Sequence, residues 1–325
     1  ADLEIKQGQP HPFPSQLIHL YVAVAVALPQ FVVMNEILFV KKIEVRNTPP
    51  GKAQRMIEFL QGLPAVCFKI PKGVIEVEEK VFILHTKCNL SIMNCIITGA
   101  SRGLGLAMAE RFAAGGYDLY LCSRDASRLA AAAADISARL PGIGVKCFPA
   151  DMSEKVQVRA FARWLEAAGV TADILINNAG QFIPGSVHDE PEGTLEMLMA
   201  INLYSAYHLT RQLLPAMMAH RSGHIFNMCS IGSIKAYPNG GAYSISKYAL
   251  AGFSANLREE MKPHGIKVTT VYPGAVFTDS WAASGIDPQR FMTSADVAEM
   301  VFSASRLSPQ ATVEELLLRP QLGDI

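Results

Sequence analysis

Thr98-Gly99-Ala100-Ser101-Arg102-Gly103-Leu104-Gly105 restricts the fold of this chain more than any other stretch. It follows a short apolar run, Cys95-Ile96-Ile97, and leads into a segment with Leu106, Ala109, Phe112 and Ala113 at helical spacing. A strand that enters a glycine loop and leaves it as a helix is the opening of a βαβ unit. Gly99, Gly103 and Gly105 let the backbone come close to a pyrophosphate and let the helix pack on the sheet. The first turn of that helix offers unpaired N–H groups and a positive dipole end to the phosphates. The stretch therefore predicts a dinucleotide site near the start of an α/β domain.

The downstream pattern agrees. Asp118 to Cys122 reads as a second apolar strand, Ser127 to Leu140 as an alanine-rich helix, and Val145 to Pro149 as a third strand followed by Asp151. Ile174 to Ile176, His224 to Met228 and Val268 to Tyr272 read as further strands, with long helical stretches near 189–219 and 242–263 between them. Thr293-Ser294-Ala295-Asp296 carries capping chemistry for one more helix, and Glu315 to Arg319 reads as a last strand. Strands and helices alternating at this spacing predict an α/β fold with a doubly wound parallel sheet, the Rossmann arrangement.

The end of the second strand selects the dinucleotide. A site for NAD usually places a carboxylate there, on the ribose hydroxyls. Here the strand closes as Leu121-Cys122-Ser123-Arg124, with no acid before Asp125. Arg124, together with Arg102 in the glycine loop, could grip a 2′-phosphate through charge-assisted hydrogen bonds, so NADP(H) is expected.

Tyr243 and Lys247 are four residues apart in a helical stretch, one turn apart on one face. An unperturbed tyrosine titrates near ~10, and a neighbouring ammonium is expected to pull it toward the working range. Taken together, the glycine loop, Asn177-Asn178-Ala179-Gly180, Ser230 thirteen residues before Tyr243, and Tyr243-x-x-x-Lys247 resemble the short-chain dehydrogenase/reductase family over residues 93–325. Pro273-Gly274-Ala275-Val276-Phe277-Thr278 is similar to the family's segment that meets the nicotinamide.

The resemblance implies an enzyme that moves a hydride between NADP(H) and a small carbonyl or secondary alcohol. Tyr243 would be the acid in reduction and the base in oxidation, and Ser230 would hydrogen-bond the substrate oxygen. Lys247 would lower the tyrosine pKa and hold the ribose, and Asn202 would anchor a water beside the lysine. Cofactor contacts are implied for Gly99, Ser101, Arg102, Gly103, Leu104, Gly105, Ser123, Arg124, Asp151, Met152, Asn178, Ala179, Gly180, Tyr243, Lys247, Pro273, Gly274, Val276 and Thr278. Asp151 would lie near the adenine; by itself it also reads as a cap for a following helix. A homodimer or homotetramer is implied as well. Cys229, with no activating base in view, reads as packing.

Substrate selection is expected from Pro184–Glu192 and Thr278–Met292. Trp281, Phe291 and Met292 point to an apolar or flat substrate. The tail from Glu315 departs from the ending of 3-oxoacyl reductases and is closer to sepiapterin-reductase-like bacterial members. A ketone or diketone reductase is the general expectation, and a non-catalytic NADP(H) sensor the alternative from another class.

Composition limits what else the chain could be. With 29 basic and 29 acidic side chains, it lacks the positive surface that a nucleic-acid binder needs. The 6 cysteines form no C-x-x-C pair, which fits free thiols in a reducing cytoplasm. His220 and His224 are separated by Ser222-Gly223 and have no third ligand in view, so no metal site is expected.

Residues 1–92 differ in character. Leu17 to Met34 is apolar but broken by His19, Pro29 and Gln30, which is poor for a membrane span and suits buried strands better. Asn47 to Gly51 reads as a turn, Lys52 to Gln61 as a short helix, and Val74 to Leu84 as one or two strands. This extension reads as a segment of unknown function, either an anchor or partner module or an addition from an upstream start. The last is preferred, because the 93–325 domain has every expected motif without it.

Overall fold

Asn94–Thr98 and Asp118–Ser123 are apolar through their middles and buried at every position but the first, so the strands they form are covered on both faces. They are β1 and β2 in the structure, a computed structural model that describes residues 18–20, 43–45, 93–278, 281 and 285–324. The remaining strands are β3 (Val145–Pro149), β4 (Ile174–Asn177), β5 (His224–Met228), β6 (Lys267–Pro273) and β7 (Glu315–Leu318). All pair in parallel in one seven-stranded sheet of order β3-β2-β1-β4-β5-β6-β7. This is the doubly wound fold expected from the alternation of elements.

The helices are α1 (Gly103–Ala114), α2 (Ala126–Arg139), α3 (Lys155–Ala167), α4 (Thr194–Met199), α5 (Ser205–His220), α6 (Gly241–Met261) and α7 (Ser294–Ser305). Successive strand residues point to opposite faces. Cys95 and Ile97 of β1, with Leu119 and Leu121 of β2, therefore join the core on the side of α1, α2 and α7, around Phe112, Ile136 and Val301. Ile96, Tyr120 and Cys122 join the opposite core with Phe161, Leu165, Leu209 and Leu257. Thr293 and Asp296 close the expected capping box at the start of α7.

Lys155–Ala167 is the helix that follows Asp151, and Ala200–Tyr204, which was not expected, is a π turn joining α4 to α5. Asp151 does not cap α3. Its carboxylate instead accepts from the N–H (2.9 Å) and hydroxyl (2.7 Å) of Ser153, while Glu154 is the N-cap residue. The α5 helix ends at Arg221 in the left-handed region, so the expected break between His220 and His224 is there. His224 is buried, bonded to the Thr269 hydroxyl (2.7 Å), and pushed down to about 3 by burial. No described group of three His, Cys, Asp or Glu side chains could hold a metal.

The chain divides into Ala1–Leu90 and Ser91–Ile325. In the first unit, Ile18–Leu20 pairs antiparallel with Ile43–Val45. The other expectations for 1–92 (the turn at Asn47 to Gly51, the helix at Lys52 to Gln61, the strands at Val74 to Leu84) lie outside the described residues. No described helix is long and apolar enough to cross a membrane.

Candidate active site

Strand order reverses between β1 and β4, and the crevice beyond their C-terminal ends is where doubly wound sheets bind ligands. A cavity of about 510 Å³ opens there. Its floor is a stapled pair of loops. The Thr98 hydroxyl accepts from the N–H groups of Asn178 (3.1 Å) and Ala179 (3.0 Å), and the Asn178 amide donates to the carbonyls of Thr98 (2.9 Å) and Gly99 (3.2 Å). Gly99 sits at φ +67, where a side chain is strained. A Cβ on Gly105 would lie 2.2 Å from the Gly99 carbonyl oxygen, so this is where α1 meets the loop backbone. No side chain caps α1, whose first-turn N–H groups begin beside the cavity.

At the far end of β2, the Ser101 and Ser123 hydroxyls are 2.8 Å apart. A second hollow of about 320 Å³ is lined by these serines with Arg102, Arg124, Asp125 and Arg128. Asp125 is already committed, since it accepts from the N–H of Arg128 (3.0 Å) and the hydroxyl of Ser127 (2.8 Å) as the cap of α2. Arg124 is mostly exposed and lies 3.7 Å from Asp151. Burial pushes the Asp151 carboxyl up, but the hydrogen bonds from Ser153 and the charge of Arg124 outweigh it, leaving the group below its ordinary value.

The opposite end of the cavity holds Tyr243 and Lys247 on α6. Ser230 begins a short 3₁₀ turn after β5, where its hydroxyl accepts from the Gly232 N–H (3.1 Å), and it lies near enough to the Tyr243 hydroxyl to lower its pKa. Lys247 is buried, and its ammonium donates to the Met228 carbonyl at 2.7 Å. This corrects one expectation. Burial holds the Tyr243 phenol above its ordinary range, and the hydrogen bond from Ser230, not the charge of Lys247, works against that. Helical spacing puts the two side chains on one face, but the ammonium is drawn aside to the end of β5. Burial also lowers the Lys247 pKa.

Asn202 is 1% exposed and lies in the π turn. Its amide accepts from the Gln181 N–H (2.8 Å) and donates to the Gln181 carbonyl (3.0 Å) and the Ser246 hydroxyl (2.9 Å). It therefore ties the loop after β4 to α6. The same loop is tied again further along, where both carboxylate oxygens of Glu190 accept from the Ala242 N–H (3.0 and 3.2 Å). No side chain of α6 itself caps its N-terminus, so Glu190 supplies the anion from 52 residues away. Glu190→Ala is expected to destabilise the fold by about 1 kcal/mol. An unchanged urea midpoint would show that the contact contributes nothing.

Most of the expected contacts line the cavity, from Gly99 through Thr278. Four do not. Ser230 and Asn202 are not among its lining residues. Gly274 donates its N–H to Leu318 of β7 at 2.7 Å, and Val276 is buried in the core. Conversely, Ala150, Gln181, Phe182, Ile201, Met228 and Cys229 line the cavity without having been singled out for it. The signal for Gln181 and Phe182 was their place directly after Asn177-Asn178-Ala179-Gly180. Cys229 is buried, and burial pushes its thiol up to about 12.

Rings continue from Tyr243 toward the surface. Phe182 meets Tyr243 edge-on (centroids 4.8 Å), lies nearly parallel to Trp281 (6.5 Å, 21°), and Trp281 touches Phe291 (5.2 Å).

The family model for short chain dehydrogenases matches residues 93–288. Sepiapterin reductase of Chlorobaculum tepidum is 32% identical over 238 residues, which is 71% of this chain and 97% of that protein. A metagenomic short-chain oxidoreductase solved in complex with NADP is similar with a TM-score of 0.60 and 31% identity, over 70% of this chain and 97% of its own. L-Sorbose reductase from Gluconobacter frateurii, complexed with NADPH and L-sorbose, gives 0.66 and 26%, over 70% and 95% of the two chains.

Proposed function

The chain belongs to the short-chain dehydrogenase family of oxidoreductases, and on the arrangement of its cavity we propose that it is an NADP(H)-dependent reductase of ketones or diketones with Tyr243 as its acid and base. One observation carries the reading. Tyr243, with Ser230 beside it, and a buried Lys247 stand at one end of a cavity whose other end is a glycine loop with arginines.

The residues present fit a dinucleotide. The start of α1 has no side-chain cap to compete with a phosphate. Gly180 leaves a gap that a Cβ would close to 2.9 Å from Asn202 and 3.3 Å from Lys247. Gly99, Gly103, Leu104 and Gly105 would hold the pyrophosphate, Asp151 and Met152 the adenine side, and Asn178 through Gly180 with Pro273 and Thr278 the nicotinamide side. When bound, the nicotinamide supplies or accepts the hydride.

The chain's own part in reduction is placement and a proton. The Tyr243 hydroxyl gives its proton to the substrate oxygen as the C=O π bond is broken, and the Ser230 hydroxyl donates to the same oxygen and stabilises its developing charge. The phenolate left on Tyr243 is stabilised by Ser230 and is reprotonated from solvent. Lys247, fixed by the Met228 carbonyl, is placed to hold ribose hydroxyls. In oxidation the same groups act in the opposite order.

Preference for the phosphorylated dinucleotide follows from Asp125 being occupied as a helix cap while Ser101, Arg102, Ser123 and Arg124 surround the hollow beside it. Charge-assisted hydrogen bonds contribute about 1.5–3 kcal/mol each. Arg124→Ser is therefore expected to lower the NADPH-to-NADH ratio of kcat/KM by about tenfold or more. Measuring a carbonyl panel with both cofactors in parallel tests this, and a wild-type preference for NADH would overturn it.

A further inference from the structure

We infer that Phe182 selects the substrate of this site: a ketone or diketone with a planar, apolar ring beside the reacting carbonyl, rather than a polyhydroxy ketone or a keto acid. The inference rests on the reductase reading above and names its substrate class.

Phe182 is part of the cavity wall and 40% exposed, although its ring is only 4.8 Å from that of Tyr243. Any carbonyl oxygen that reaches the Tyr243 hydroxyl brings the rest of its molecule near this ring. Binding sites of this kind are lined by apolar and aromatic groups, with a few polar groups that fix orientation. Here the orienting group on the wall is the Tyr243 hydroxyl, and Phe182 is the apolar face next to it.

The ring is also held in place. Asn202 grips both the N–H and the carbonyl of Gln181, so the backbone one residue before Phe182 is fixed to a buried side chain. Trp281 adds a second, nearly parallel ring at 6.5 Å, and Phe291 and Phe277 (centroids 5.6 Å) back it. A planar ring laid against this row gains edge and offset-stacked contacts, which a chain of hydroxylated carbons cannot.

The polar inventory points the same way. Among the described residues lining the cavity at this end, Lys247 is the cation, and it is committed to the Met228 carbonyl and the cofactor side rather than to Phe182. A keto acid would have its carboxylate near Phe182 with no guanidinium to meet it, and sugar hydroxyls against the row would lose hydrogen bonds to water.

The test compares kcat/KM with NADPH for 1-phenylpropane-1,2-dione, butane-2,3-dione, L-sorbose and pyruvate, in the wild type and in Phe182→Leu and Phe182→Ala. Both diones present the same reacting group, so their ratio isolates the ring. The phenyl compound is expected to lead by about tenfold or more in the wild type, and that ratio to fall by about tenfold in Phe182→Leu, which keeps apolar bulk without the ring. NADPH titration of each variant shows that the cofactor half is intact. A ratio that Phe182→Leu and Phe182→Ala leave unchanged, or a wild type that prefers L-sorbose or pyruvate, overturns the inference while leaving the reductase reading standing. If none of the four is reduced although NADPH binds, the reductase reading itself fails.

Discussion

Tyr243→Phe is expected to lower kcat/KM for carbonyl reduction by a factor of about 10²–10⁴, the usual contribution of a positioned acid. The substitution removes one oxygen and keeps the ring, so the edge-on contact with Phe182 survives and the cavity keeps its shape. NADPH binding, read by fluorescence titration, should stay within about threefold, because the glycine loop and arginines are untouched. Loss of turnover with retained binding is the signature of a missing proton donor. Turnover within a few-fold of wild type would overturn the assignment.

The pH dependence of the same residue has a definite sign. Burial holds the phenol above its ordinary value near ~10, so the protonated, proton-donating form persists through neutral and mildly alkaline solution. Reductive kcat/KM should therefore stay flat to about pH 9 and fall only above that. Alcohol oxidation, which needs the phenolate, should rise over the alkaline range. A descending reductive limb centred near neutrality would show that Lys247 dominates over burial in the working complex.

Gly105→Ala is the second large effect. The new methyl group would meet the Gly99 carbonyl oxygen at 2.2 Å, the Gly99 carbonyl carbon at 2.8 Å and the Asn178 amide nitrogen at 2.6 Å. The Gly99 atoms are backbone, and Asn178 is held by two hydrogen bonds to the loop, so neither neighbour can turn aside as a flexible side chain would. The start of α1 must move away from the loop, at a cost of about 1–3 kcal/mol for overpacking. Dinucleotide affinity should fall by at least about tenfold, because the first-turn N–H groups move with the helix. Gly142→Ala is the control, since nothing lies within 4 Å of a Cβ there. Equal behaviour of the two variants in NADPH titration and thermal unfolding would show that the close approach has no energetic weight.

The strands were legible because a parallel sheet covered on both faces demands runs such as Cys95-Ile96-Ile97 and Ile174-Leu175-Ile176, and no other short element needs them so strictly. The glycine loop was legible for a similar reason, since Gly99 and Gly105 answer to steric limits that a sequence states directly. The helix α3, expected after Asp151 but given no bounds, is marked by Val158, Phe161, Ala162 and Leu165, which form its buried face at helical spacing. The π turn carries no such mark. It inserts a residue into an otherwise continuous helix and turns Asn202 inward, where Gln181 and Ser246 of other elements hydrogen-bond it.

What this sequence determined by itself is therefore local: strand and helix periods, the glycine loop, the Ser-Tyr-Lys spacing, and the want of an acid before Asp125 at the end of the second strand. What only the tertiary structure decided is everything that depends on residues far apart in the chain. The ammonium of Lys247 went to Met228, Phe182 came to stand beside Tyr243, and Glu190 came to hold the start of α6. The direction of the Tyr243 shift belongs to the same group. Burial and hydrogen-bond partners are set by packing across tens of residues, and spacing along the chain carries no measure of either.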